Sequence, residues 1–205
     1  MTFRNHGFST LAAAALWLLV PCAHVSCAHA QASADTLKIG VLADMSGLYS
    51  DLSGVGSLVA TQMAAEDFGG TVLGRKIEVV SADHQNKPDI GSNIARHWID
   101  QQGVAAIVDV PVSSIAFAVQ QIAKERNRVL LISSSGSSDL TGKSCSPTSV
   151  HWTYDTYALA QTAGKAMIEQ GGDSWFFITA DYAFGHALER DTAAIIKANG
   201  GTVVG

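Results

Sequence analysis

The sequence predicts an α/β protein built on parallel sheet, with helices on both faces. Two observations carry that expectation. Short apolar runs alternate with helical patterns from residue 37 onward, and no repeat, charge block or low-complexity tract interrupts them. Glycines close the helical patterns, at Gly69-Gly70, Gly103, Gly171-Gly172 and Gly200-Gly201.

Taken in order, residues 37–43 (LKIGVLA) read as a buried strand. A Gly/Ser-rich loop follows over 44–56. Val55, Leu58, Val59, Met63 and Phe68 then fall at near-helical spacings. Strand, glycine loop and helix form the first half of a βαβ unit, and open α/β sheets bind ligands at such loops. Residues 75–82 alternate polar and apolar, as a half-buried strand does. Asn86-Lys87-Pro88-Asp89 makes a turn, and Pro88 suits the first turn of a helix carrying Ile90, Ile94, Trp98 and Ile99. Residues 105–110 form a third strand, broken by Pro111. Ser113 and Ser114 start a helix with Ile115, Val119 and Ile122 on one face. Residues 129–132 form a fourth strand, followed by the polar loop SSSGSSD over 133–139. A fifth strand is expected at 150–153, a helix over 158–170, a sixth strand over 175–179, a long helix over 184–199 and a last strand at 202–204.

The first thirty residues read as an address. Arg4 precedes the apolar run LAAAALWLLV at 11–20, and Ala28-His29-Ala30 fits a cleavage site. Such a run is too short to span a membrane, which needs about 20 residues. The expectation is a secretory signal peptide over 1–30, a mature start at Gln31 (or Ser33, if the cut follows Ala30-Gln31-Ala32), and a periplasmic protein that does not cross the membrane. Cys22 and Cys27 fit a lipobox poorly. With 13 Lys+Arg against 18 Asp+Glu and a net charge of −5, the chain lacks the clustered cations that nucleic acid requires. Cys145 has no partner in the mature chain, and reads as a small buried apolar residue.

Several chemistries are excluded. The glycines Gly47, Gly54 and Gly56 make no G-x-G-x-x-G, and there is neither a P-loop nor a G-x-S-x-G elbow. His84, His97, His151 and His186 are scattered. His186 and Glu189 share a helical face, the pattern of a solvated surface. No catalytic residue, metal or cofactor is expected. The serines carry more. Ser113-Ser114 and the 133–138 run each follow a buried strand, so a parallel sheet brings both to its carboxyl edge. Hydroxyls beside helix N-terminal N–H groups suit a small carboxylate. The same serines also suit plain caps and turns. Tyr49, Tyr182 and Phe184 fall on loops, where packing and ligand stacking are both open readings.

The segments LKIGVLADMSGLYSDLSGVG, GVAAIVDVPVSSIAFAV, LLISSSGSSDLTG and WFFITADYAFGHALERD resemble the periplasmic solute-binding proteins of branched-chain amino acid ABC transporters. HWTYDTYALA and TADYAFGHALERD are most similar to members associated with organic acids, including aromatic ones. The resemblance covers residues 37–205. It implies a two-lobe type I periplasmic-binding-protein fold, with a first lobe over 35–153 and an incomplete second lobe over 154–205. It also implies a monomeric receptor that binds a small carboxylate (a branched-chain amino acid or an aromatic or organic acid) between its lobes and delivers it to permease subunits. An extracytoplasmic sensory domain of the same fold is the alternative. In the family pattern Ser46 and Tyr49 line the cleft. Ser113, Ser114, Ser135 and Ser137 resemble residues that hold the ligand carboxylate, and Tyr182 and Phe184 match the loop that closes over the side chain. Family chains are about twice as long, so the acidic group that holds an α-ammonium is expected beyond Gly205.

Overall fold

The computed structural model describes Thr2 and residues 36–205. The expected signal peptide, its cleavage sites, Cys22 and Cys27 therefore lie outside the described residues. The chain runs β1 (Thr36–Ala43), α1 (Gly54–Asp67), β2 (Thr71–Val72), β3 (Arg75–Asp83), α2 (Pro88–Gln101), β4 (Val104–Asp109), α3 (Ser113–Glu125) and β5 (Val129–Ile132). A 3₁₀ turn at Ser138–Leu140 leads to β6 (Ser149–His151). Then come α4 (Thr156–Leu159), a π-type turn (Ala160–Gly164), α5 (Lys165–Glu169), β7 (Ser174–Trp175), α6 (Ala183–Ala198) and β8 (Thr202–Val203).

The first six strands form one sheet in the order β2-β3-β1-β4-β5-β6, and β7 and β8 pair separately. All neighbours in the large sheet are parallel except β2 and β3. β1 leads outward to β3 through α1, whereas α2 and α3 lead back across the sheet to β4 and β5. Right-handed crossovers therefore place α1 on one face and α2 with α3 on the other. The core lies on the α2/α3 side, where Leu42, Ile107, Leu130 and Ile132 meet Trp98, Ile115, Val119 and Ile122. Gly40 is glycine for a local reason. A Cβ there would lie 2.5 Å from the Trp98 ring.

Four expectations change. A two-residue strand, β2, precedes β3 and forms a hairpin through Leu73 and Gly74, both at positive φ (50° and 75°). Two left-handed residues make the turn whose twist matches antiparallel strands. The helix expected over 158–170 is interrupted at Ala160–Gly164. There the Thr162 hydroxyl donates back to the carbonyls of Ala158 and Leu159, and Gly164 lies against Thr192 and Ile195 of α6. The strand expected over 175–179 is regular only at Ser174–Trp175, opposite the two residues of β8, with one further backbone bond from the Phe177 N–H to the Gly205 carbonyl. Cys145 is exposed, not buried, because it sits in the turn after the 3₁₀ segment.

Candidate ligand-binding site

Parallel register brings the ends of four strands together: Ala43 lies beside Asp83, Leu42 beside Asp109, and Asp109 beside Ile132. The loops after β1, β3, β4 and β5 therefore share one edge. Asp44, fully buried, organises the first of them. Its carboxylate accepts from the Gly47 N–H (2.7 Å), the Tyr49 N–H (2.8 Å) and the Asn86 amide (2.6 Å). Burial pushes the Asp44 carboxyl up, but the bonds from Tyr49, Asn86 and Gly47 outweigh it and hold it below the ordinary carboxylate value. The loop after β3 is fixed by His84, whose Nδ1 accepts from the Asn86 N–H. Burial lowers the His84 pKa, against the pull of Asp44, Asp83 and Asp109, so the ring is neutral.

The aromatic residues come from opposite ends of the chain. The Tyr49 and Tyr182 hydroxyls lie 2.8 Å apart, and their ring centroids 6.4 Å. Phe184 stacks on Tyr182 at 6.0 Å. Burial, then the Tyr49 hydroxyl, pushes the Tyr182 phenol far up, and either hydroxyl of the pair can donate to the other. Beside this pair opens a cavity of about 520 Å³, whose walls include Tyr49, Asn86, Pro88, Val112, Ser114 and Tyr182. Three helices begin at that wall: α2 at Pro88, α3 just after Val112, and α6 just after Tyr182. None of the three is capped by the side chain of its own N-cap residue (Lys87, Val112 and Tyr182), although Ser114 Oγ takes the first N–H of α6. Each helix start carries roughly half a positive charge, while the wall holds no lysine or arginine and does hold the carboxylate of Asp181, which is exposed and lies 3.1 Å from His186 Nε2.

The structure separates the residues expected to bind ligand into three groups. Tyr49, Ser114 and Tyr182 line this cavity, and Ser114 Oγ also accepts from the Ala183 N–H at 3.3 Å. Ser113, Ser135 and Ser137 are buried behind it. Ser113 Oγ accepts from the Ser137 N–H, Ser135 Oγ donates to the Val110 carbonyl at 2.6 Å, and the buried Ser137 Oγ has no partner. Ser46 and Phe184 lie to either side. Ser46 Oγ donates to Asp83 at 2.5 Å, while Phe184 packs on Gly136 and lines an adjoining apolar cavity of about 490 Å³ with Trp175, Phe177 and Leu188. Sequence reasoning missed Asn86, Pro88 and Val112. Pro88 at a helix start was the available signal, since the first turn of such a helix carries its free N–H groups.

A family model described as periplasmic binding protein matches residues 36–205. Among solved structures, a periplasmic binding protein from Burkholderia mallei is 51% identical, with a TM-score of 0.82 over 84% of this chain and 46% of that one. A solute-binding protein of an ABC transporter from Rhodopseudomonas palustris, in complex with 3,4-dihydroxybenzoic acid, is 25% identical, with a TM-score of 0.72 over 83% of this chain and 46% of that one. A Leu/Ile/Val-binding protein homologue from Brucella abortus is 25% identical over 180 residues, which is 87% of this chain and 45% of the relative. The chain thus spans about half the length of the relatives it matches.

Proposed function

The chain belongs to the periplasmic binding protein family, and on that premise we propose that it is the receptor component of an ABC importer that holds a small carboxylate between two lobes. The first lobe spans 35–153, and the second starts at 154. The observation that carries this reading is the cavity at which the starts of α2, α3 and α6 converge beside Tyr49, Ser114 and Tyr182. Dipoles and hydroxyls meet the carboxylate there, and the aromatic faces take the rest of the ligand. Flat aromatic walls and the dihydroxybenzoate-bound relative both favour an aromatic acid over an aliphatic amino acid. Binding, not catalysis, is the activity. The ligand is handed to permease subunits from the periplasm.

The test is calorimetric titration of a form carrying both lobes with benzoate, 3,4-dihydroxybenzoate and leucine, each acid beside its amide. We expect the acids to bind and the amides to fall away. Ser114→Ala should weaken binding roughly 10- to 100-fold, the range for one hydrogen bond to a charged group. Equal binding of acid and amide would place the anion elsewhere. Leucine binding without benzoate binding would reverse the choice of ligand class.

A further inference from the structure

The loop between β4 and α3 is strained. Asp109 has φ +82° and Val110 has φ +57°. A β-branched residue at positive φ is an outlier, and Pro111 after it should push Val110 toward extended backbone. Strained backbone persists only where its surroundings over-determine it. Here they do, and serines supply most of the restraint. The Val110 N–H donates to the Leu42 carbonyl at 3.0 Å, and the Val110 carbonyl accepts from Ser135 Oγ. The buried Asp109 carboxylate accepts the hydroxyls of Ser53, Ser133 and Ser134. Ser53 is the residue before α1, yet its hydroxyl goes to Asp109 instead of capping its own helix. The kink leads straight to Val112 and Ser114 on the cavity wall.

We infer that Asp109 and Val110 form a strained pivot, clamped by Ser53, Ser133, Ser134 and Ser135, that sets where the first turn of α3 stands in the cleft. Ser135 is thus a positioning residue that acts through the Val110 carbonyl and does not touch ligand. What the presented turn is for rests on the carboxylate-receptor reading. The pivot itself does not.

The strain is read by comparing two truncations of one side chain. Val110→Ala and Val110→Gly both lose the buried methyl groups, but only glycine is at ease at φ +57°. The glycine variant should therefore melt about 2–4 °C above the alanine variant. At an unstrained position the order would be reversed, and that order would overturn the pivot. Positioning is read by amide hydrogen exchange in Ser135→Ala. Exchange at Ile115 and Ala116, whose N–H groups both bond the Val112 carbonyl, should accelerate about tenfold relative to Val119 and Ala123 on the same helix. Uniform acceleration along α3 would mean that Ser135 only adds global stability, and no acceleration would mean that the clamp is idle. Either result sinks the positioning role. Benzoate titration is a separate arm. A form with both lobes that ignores benzoate, 3,4-dihydroxybenzoate and leucine alike would defeat the receptor reading without altering the glycine–alanine order.

Discussion

The two faces of the large sheet are unlike. On the α2/α3 side, Leu42, Ile107, Leu130 and Ile132 are sealed under two helices that also pack on each other. On the other side Ile39, Ile77, Ala106, Val108 and Leu131 are covered, among the described residues, by α1 alone, over a cavity of about 650 Å³ that reaches the exposed Trp152. α1 lays its small residues, Ser57, Ala60, Ala64 and Ala65, on that cavity. Its large ones, Val55, Val59 and Met63, face outward and are exposed, while Phe68, just past its end, reaches back to line the cavity. One face is a finished core and the other an apolar surface with thin cover. Stability should therefore be concentrated on one side of the sheet, while the edge between the faces carries the site.

The largest expected effect tests that asymmetry directly. Ile107→Ala empties a fully buried position and should cost about 3–4 kcal/mol. Leu131→Ala, on the open face, should cost about 1 kcal/mol, because the site already borders a cavity. Denaturant unfolding of the two variants decides the matter. Equal losses would mean that both faces are equally sealed. Next comes overpacking. Gly40→Ala should cost about 1–3 kcal/mol, since the added methyl meets the Trp98 ring and an aromatic ring cannot bend aside. Gly56→Ala, with open space around its Cβ on α1, should be neutral or stabilising by a few tenths of a kcal/mol in the same measurement.

The contrast also explains what was legible in the sequence. Strands and helices of the sealed side were readable because their apolar residues repeat at the period of the element and all find partners, as Ile115, Val119 and Ile122 do. α1 was readable as a helix from the same kind of spacing, yet Val55, Val59 and Met63 turn away from the sheet. Periodicity reports that a face is apolar, not what covers it. At the site, the position of the serine loops followed from parallel topology. The division of labour did not. Whether Ser135 meets a ligand or the Val110 carbonyl depends on a backbone kink at residues 109–110. Neither residue is a glycine, so nothing in the sequence announces it. Asn86 was hidden for a related reason: its amide is tied to Asp44, 42 positions away.

Asp44 sits where the two faces end, and pH tests whether that edge is as fixed as the sealed face. Its folded pKa lies below the ordinary value of 3.8. Its hydrogen bonds therefore contribute stability that is fully present above the ordinary carboxylate range and is lost as pH falls through the folded value. Asp44→Asn keeps the shape, but its NH₂ group faces donors. It should cost about 2 kcal/mol at neutral pH and remove part of the steepness of acid unfolding. A variant whose stability falls with pH as steeply as wild type would show that Asp44 is not one of the groups responsible.

The smallest expected effect on stability lies on the outer face of α1, and there the comparison becomes sharpest. Val59 and Met63 stand one turn apart among exposed apolar neighbours. Replacing both by lysine removes little buried surface, and the attraction of a lysine at 63 to Glu66 and Asp67 one turn on is worth only a few tenths of a kcal/mol, so unfolding free energy should move by less than about 0.5 kcal/mol. The same two lysines interrupt the apolar stripe that runs from Leu52 through Val55 to Met63, and such stripes drive association. Wild type should therefore show more self-association with rising concentration than the double variant in analytical ultracentrifugation, at equal melting temperature. If the double variant loses stability instead, the outer face of α1 is already covered in solution, and the thin side of the sheet is better sealed than its contacts indicate.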